Sequence, residues 1–173
     1  FAGSCVGGGT TVNWAGSFRT PDYILKEWAS EHGLPFFESA SFRDSLNAVA
    51  TDISVNTNYQ LHNLQNQLLL EGSQKLGQQV ELIPRNEWQP SEEDFRKLGF
   101  SSLGDRYGIK QGTAQTYIRK AVNAGARLLS KCQIEKISIK NGRAIGAEAV
   151  YYSPEGQKKK VFIHAEKIVA AAG

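Results

Sequence analysis

The sequence predicts an α+β fold: a helical and irregular N-terminal two-thirds, followed by an antiparallel β-meander in the C-terminal third. Three observations carry this reading. Up to Gly125, apolar residues recur at helical spacing between start and stop signals. Beyond Gly125 the period falls to two, the signature of half-buried strands. Two turn signals, Asn141-Gly142 and Pro154-Glu155-Gly156, cut that last stretch into strands.

The first element is a loop, Gly7-Gly8-Gly9-Thr10-Thr11-Val12-Asn13-Trp14. Three consecutive glycines free the backbone to take positive φ and to approach a ligand closely, and that freedom is expected at Gly9. Hydroxyls, an amide and main-chain N–H groups follow at once, which suits a polar cofactor bearing phosphates or rings. A glycine run is also ordinary loop punctuation, so the run alone leaves a plain turn open.

Thr20-Pro21-Asp22 reads as a helix start with Thr20 as the capping hydroxyl, and Ile24, Leu25, Trp28 and Gly33 complete that helix. Leu34-Pro35-Phe36-Phe37 breaks it. Phe42, Leu46 and Val49 place a second helix over 41–51, and 52–56 reads as a short extended piece. The strongest helix is predicted over 59–76, with Leu61, Leu64, Leu68, Leu69 and Leu76 on one side and Gly77 as its stop. A strand is expected over 79–84 and a short helical stretch over 92–98. A last helix spans 113–124 and closes at Gly125. Strands follow over 126–139, 143–152, 159–164 and 167–171, with Ile134, Ile137, Ile145 and Val150 contributing to a buried face.

Composition bounds the function. Of 173 residues, 40% are hydrophobic and 21% charged, so the chain is long enough for a real core. No apolar run approaches the roughly 20 residues that span a bilayer. A net charge of +3 is too mild to argue for nucleic acid, and Lys158-Lys159-Lys160 reads as a solvated hairpin end. Cys5 and Cys132 have no metal-ligand spacing, which argues against a metal centre and leaves a disulfide open. The first residues lack the basic-then-apolar pattern of a leader, and the cytoplasm is the expected compartment. There is no methionine and both ends read as cuts, so a piece of a longer polypeptide is expected, with the remainder as its partner.

Four stretches resemble one family in order along the chain. Gly8-Gly9-Thr10-Thr11-Val12-Asn13 is similar to a Gly-Gly-Ser-Ser-x-Asn loop. Lys110-Gln111-Gly112-Thr113-Ala114-Gln115-Thr116-Tyr117-Ile118 is similar to a segment leading into a helix beside the cofactor domain. Ile134-Glu135-Lys136-Ile137 with Gly142-Arg143-Ala144-Ile145-Gly146-Ala147-Glu148 is similar to a Val-x-x-Ile … Gly-Arg-Ala-x-Gly-Val-Glu hairpin. The stretch from Ala165 to Gly173 is similar to a return strand. Together they resemble the glucose–methanol–choline (GMC) oxidoreductases, FAD-dependent enzymes acting on alcohols. Asn13-Trp14, Thr20-Pro21 and Glu27-Trp28-Ala29 are most similar to the long-chain fatty alcohol oxidase branch. That branch carries a cysteine-rich patch before Lys-Gln-Gly-Thr, whereas 101–109 here holds no cysteine.

The resemblance implies FAD as hydride acceptor and a small-molecule alcohol, with long-chain alcohols in view, as substrate. It implies cofactor contacts at Gly8, Gly9, Thr10, Thr11 and Asn13. Main-chain N–H groups of Gly9 and Thr10 would meet phosphate oxygens, and the main chain at Ile134 would meet the adenine. It divides the chain into a cofactor-facing loop (1–20), a substrate-side cap segment (21–112), and a helix with the β-meander of the FAD domain (113–173). The family's first Gly-x-Gly-x-x-Gly motif is absent, and its catalytic pair is expected beyond Gly173. No catalytic residue is therefore assigned. His32 reads as a helix-end residue, His62 as a boundary residue on the strongest helix, and His164 as half-buried in a strand. Trp14, Phe18, Trp28, Phe36 and Phe37 suit either core or an apolar substrate wall. The residues also allow a second class, a non-catalytic binding module with a glycine-rich surface loop. A P-loop is excluded, because no lysine follows the glycines.

Overall fold

The computed structural model describes residues 3–58, 62–88 and 103–171. The chain forms two compact units, Phe1–Ala126 and Arg127–Gly173. Helices occupy the first and a three-stranded antiparallel sheet the second, as the change of period predicts.

In the first unit, the glycine run opens a single helical turn, α1 (Gly9–Val12). Helix α2 (Asp22–Glu31) buries Leu25. Pro21, extended at φ −60° and ψ 147°, is its N-cap, so Thr20 stands outside the helix and does not cap it as expected. The chain leaves α2 through His32 and Gly33, the latter at φ 65°, and the break predicted at 34–37 is a 3₁₀ turn over Pro35–Glu38. Helix α3 (Ala40–Asp52) starts earlier than the spacing suggests, because Ser39 Oγ accepts the Phe42 N–H at 3.1 Å. Edge-to-face contacts of Phe37 with Trp28 (5.1 Å) and Phe42 (4.9 Å) join α2, the 3₁₀ turn and α3.

Helix α4 (Leu64–Lys75) is shorter than the predicted helix. Asn63 Oδ1 caps it by accepting the Asn66 N–H, so His62 precedes the helix rather than riding on it. Residues 59–61 lie outside the described segments. The far end is a Schellman closure: Gln78 N–H reaches Ser73 O at 2.9 Å around Gly77 at φ 68°. The leucine side does not form core. Leu64, Leu68, Leu69 and Leu76 are 58% to 78% exposed, because no described helix or strand covers them.

The strand expected over 79–84 is absent. Pro84 has no N–H to add to a ladder, and among the described residues the pairing that follows it is by isolated bridges of Arg85 with Gly16 and Asn56. The extended piece expected over 52–56 is likewise a turn, with Ser54 at φ 55°. The helical stretch expected over 92–98 lies outside the described residues. Helix α5 (Tyr117–Asn123) starts four residues later than predicted, since 113–116 form a turn. Gly125, at φ 95°, ends it with a second Schellman closure, Ala126 N–H to Ala121 O at 2.9 Å.

The second unit orders its strands β1 (Cys132–Lys140), β2 (Arg143–Tyr152) and β3 (Lys158–His164) in sequence. β1 begins six residues later than expected, because Lys131 at φ 53° cannot continue a strand. Asn141 and Gly142, at φ 51° and 73°, make the predicted tight hairpin turn. Gly156, at φ 81°, closes the next turn through its N–H on Ser153 O. The lysine triplet opens β3 and is exposed. The predicted strand over 167–171 does not form; an isolated segment has no neighbour to complete its ladder. The expected isoleucine face is also corrected. Ile134, Ile137 and Ile145 are exposed, while Gly146, Ala147 and Ala149 are buried in the middle strand. His164 is exposed rather than half-buried, set edge-on to Phe162.

Candidate functional site

The glycine turn is built by local bonds and then held from behind. Gly8 N–H donates to Cys5 O at 2.9 Å, Thr10 N–H to Gly7 O at 3.1 Å, and Thr11 N–H to Gly8 O at 3.1 Å. Gly7 and Gly8 take positive φ, at 93° and 51°, whereas Gly9 is helical. The conformational need for glycine therefore falls one and two residues earlier than expected. The glycines also differ in surroundings. A Cβ at Gly7 would meet Thr11 Oγ1 at 2.5 Å, but a Cβ at Gly8 or Gly9 would meet nothing within 4 Å. Gly7 faces protein, and Gly8 and Gly9 form an open face.

Residues 110–113 supply the backing. Lys110 is 3% exposed, and its Nζ donates to Thr11 O at 2.7 Å and to Asn13 O at 2.8 Å. The Thr10 hydroxyl donates to Gly7 O at 2.7 Å and shares a bond with Thr113 Oγ1 at 2.9 Å. Thr113 N–H donates to Thr10 Oγ1 at 3.0 Å. Gly112 permits this approach, since a Cβ there would stand 2.9 Å from Thr10 O. The Thr11 hydroxyl donates to Val6 O at 3.0 Å.

Behind the clamp lies a buried polar hub. Asn86, Glu87, Lys110 and Gln111 are all at most 6% exposed. Gln111 Nε2 donates to Ile109 O at 3.1 Å, Trp88 N–H to the same carbonyl at 2.9 Å, and Asn56 Nδ2 to Glu87 O at 2.8 Å. Burial pushes the Glu87 carboxyl up against the pull of Arg85, whose Nη1 is 3.7 Å away, and of Lys110. Burial likewise pulls the Lys110 ammonium down, opposed by the Asp105 and Glu87 charges.

The predicted cofactor residues fall in two places. Gly8, Gly9, Thr10, Thr11 and Asn13 share the turn. Both threonine hydroxyls and the Thr10 N–H are engaged within the protein, while the Gly9 N–H has no partner among the described residues. Asn13 Oδ1 accepts the Ala15 N–H at 3.2 Å, which leaves its amide hydrogens as donors. This donor set, on an open face, fits an anionic or carbonyl-bearing group. Ile134 lies in the second unit on β1, an edge strand, beside the register shift between Ile134 and Lys136. An edge strand leaves one side of its main chain unpaired. Trp14 and Phe18 are exposed, whereas Trp28 and Phe37 belong to the aromatic cluster. Neither histidines nor acids gather into a metal site among the described residues, and both cysteines are free thiols.

Sequence reading placed the Lys-Gln-Gly-Thr segment only as the approach to a helix and missed Lys110 and Thr113 as partners of the glycine turn. The contacts span 97 to 106 positions of sequence, and nothing local signals them. A lysine standing beside glycine and threonine, in a stretch that proves to be buried, was the available hint.

A helical unit followed by a three-stranded antiparallel sheet, with a glycine turn held open on one face, defines an N-terminal oxidoreductase domain once set beside known proteins. Residues 1–173 match the GMC oxidoreductase family, and the chain belongs to it; the family is in general FAD-dependent. Long-chain-alcohol oxidase FAO4B of Arabidopsis thaliana is 39% identical over 180 residues, covering 99% of this chain and 23% of that protein. Long-chain-alcohol oxidase FAO1 of the same plant is 34% identical, again over 99% of this chain and 23% of its own length. An uncharacterized GMC-type oxidoreductase of Mycobacterium tuberculosis is 29% identical over 99% of this chain and 26% of its own. The chain thus spans about a quarter of the length of these relatives. No solved structure matches it significantly.

Proposed function

We propose that this chain forms part of an FAD-dependent oxidoreductase that oxidises the CH–OH group of an alcohol. FAD, when bound, supplies the hydride acceptor. The chain's own work is to bind and orient. Gly8, Gly9, Thr10, Thr11 and Asn13 lie against the flavin and its pyrophosphate, and the main chain at Ile134 meets the adenine. Gly9 offers its N–H and Asn13 its amide hydrogens, while Thr10 and Thr11, whose hydroxyls and N–H groups are taken, contribute shape. Residues 21–112 serve the substrate side and 113–173 the FAD side. The relatives' long-chain alcohols are the substrate class that best suits this reading. No catalytic residue is assigned to these segments.

One observation carries the proposal: the turn is clamped on one side, whereas Cβ atoms at Gly8 and Gly9 would meet nothing within 4 Å among the described residues beyond their own chain neighbours. Gly9→Val in the full-length protein tests it. The described residues leave room for a Cβ there and Gly9 is not at positive φ, so lost flavin reports on a ligand rather than on a backbone clash. The flavin-to-protein absorbance ratio is expected to fall sharply in Gly9→Val and to hold in Lys159→Ala. Equal ratios in Gly9→Val and the parent protein would overturn the assignment.

A further inference from the structure

We infer that Lys110 and Thr113 are positioning residues that hold the glycine turn in its cofactor-binding shape. The inference rests on the flavin reading above and extends it to two side chains that touch the turn only from behind. The geometry is two-sided. At the start of the turn, Thr113 Oγ1 meets the Thr10 hydroxyl at 2.9 Å and Gly7 O at 3.3 Å, and Thr113 N–H meets Thr10 Oγ1 at 3.0 Å. At its end, the Lys110 ammonium binds Thr11 O and Asn13 O, carbonyls that a single helical turn leaves without intrahelical partners.

The physical need for such a clamp follows from the glycines. A run of three has more backbone freedom to lose than any other sequence, and a four-residue turn cannot nucleate itself. Without outside bonds, FAD would have to order the turn on binding, and that cost would appear as weaker affinity. The ammonium is well placed to prevent this. It sits on the hub that joins 86–88 to 109–111, where Trp88 N–H on Ile109 O and Gln111 N–H on Asn86 O fix its strand-like backbone. Among the described residues, charged groups facing it include Asp105, Glu87 and, through Glu87, Arg85. Removing the ammonium leaves Thr11 O and Asn13 O to find other donors, and removing the Thr113 hydroxyl loosens the opposite end.

The test uses the full-length apoprotein and four variants, Lys110→Met, Lys110→Arg, Thr113→Val and Thr113→Ser. Two readouts are taken: hydrogen exchange of the peptide covering 5–14 without ligand, and the FAD dissociation constant from quenching of flavin fluorescence. Lys110→Met and Thr113→Val are expected to exchange faster over 5–14 and to bind FAD about ten- to a hundredfold more weakly, the range for a lost bond to a charged or buried group. Thr113→Ser keeps the hydroxyl and is expected to restore both readouts. Lys110→Arg carries the charge on a longer, planar head that cannot place one nitrogen between both carbonyls, and is expected to restore neither fully. If Lys110→Met fails to fold, the Thr113 pair alone decides, because valine matches threonine in shape. Unchanged exchange over 5–14 in Thr113→Val would overturn the clamp. Faster exchange with unchanged FAD affinity would keep the clamp and overturn the flavin role of the turn.

Discussion

Asn86 and Gln111 bond each other in both directions: Asn86 Nδ2 donates to Gln111 O at 2.9 Å, and Gln111 N–H donates to Asn86 O at 2.8 Å. Both residues are 6% exposed. The Ser17 hydroxyl lies between two acceptors, Ala15 O at 3.0 Å and Asn86 Oδ1 at 3.3 Å, and Asn86 N–H donates to Ala15 O at 3.1 Å, so one asparagine ties three distant segments together. Asn86→Leu keeps the branched skeleton, replaces both polar atoms by bulkier methyls and strands the Gln111 carbonyl, while the Ser17 hydroxyl keeps Ala15 O at 3.0 Å. It is expected to destabilise the full-length protein by about 1–3 kcal/mol, the cost of a buried group left without its partner. Urea denaturation followed by tryptophan fluorescence measures this. Asn86→Asp, which keeps an acceptor for Ser17 but loses the donor to Gln111, is expected to be no better.

Glu87 predicts a pH dependence of defined sign. Burial holds its folded carboxyl above the ordinary value of 4.5, outweighing Arg85 and Lys110. The folded state therefore keeps its proton in a window where the unfolded chain has lost it. Glu87 favours folding most below the ordinary carboxylate range, and that contribution is lost as pH rises through the raised value. Relative to Glu87→Gln, the parent protein is expected to lose stability as pH is raised from about 4 to about 8. Denaturation midpoints of the two proteins across that range check it; a stability difference independent of pH would show that the carboxyl is not held protonated by burial.

The fold was legible where the signal is local. The Asn141-Gly142 turn, the antiparallel order of the strands, the stops at Gly33, Gly77 and Gly125 and the helix through Leu46 follow from short-range backbone chemistry. What misled was burial. Leu64, Leu68, Ile134 and Ile137 have the spacing of core residues and stand exposed, because periodicity says that a face is apolar and not what covers it. The candidate site was half legible for the same reason. Glycines and an asparagine are visible in the sequence as a ligand loop, but which glycine lies at positive φ against protein shows only where Gly7 packs on Thr113 and Ala114, about a hundred residues away. The core of the first unit was hardest to foresee, since its centre is Asn86, Glu87, Lys110 and Gln111 rather than an apolar cluster.

The hairpin turn gives a second stability prediction. Gly142, at φ 73°, sits in the left-handed region beside Asn141 at φ 51°. A Cβ on Gly142 meets nothing within 4 Å, so Gly142→Ala is penalised only through its backbone conformation. About 1–2 kcal/mol is expected, the cost of one L-residue held left-handed. Hydrogen exchange of the amides of β1 and β2 in the full-length protein reads it. Asn141→Gly, which removes the same cost at the neighbouring position, is expected to leave that exchange unchanged or slower.

Gly146 makes the strictest claim on the sheet. It lies in the middle strand, pairs with Ser138 on one side and His164 on the other, and is buried. Its φ of 157° is one that side-chain-bearing residues rarely adopt. A Cβ there would run into the backbone carbonyl of Ile163 and stand 2.6 Å from the Phe162 ring. The ring could swing away, but the carbonyl is fixed by the β2–β3 ladder. Gly146→Ala must therefore push β3 off its register rather than adjust a side chain, at a cost of about 1–3 kcal/mol for overpacking alone. The expected result is selective: amides of 158–164 lose protection from exchange while those of α2 and α3 keep theirs. Lys159→Ala, an exposed neighbour paired with Tyr151, is the matched control and is expected to change stability by less than about 0.5 kcal/mol. Equal protection of 158–164 in Gly146→Ala and the parent protein would mean that the sheet tolerates a side chain there, and that the glycine is not what lets β3 lie against β2.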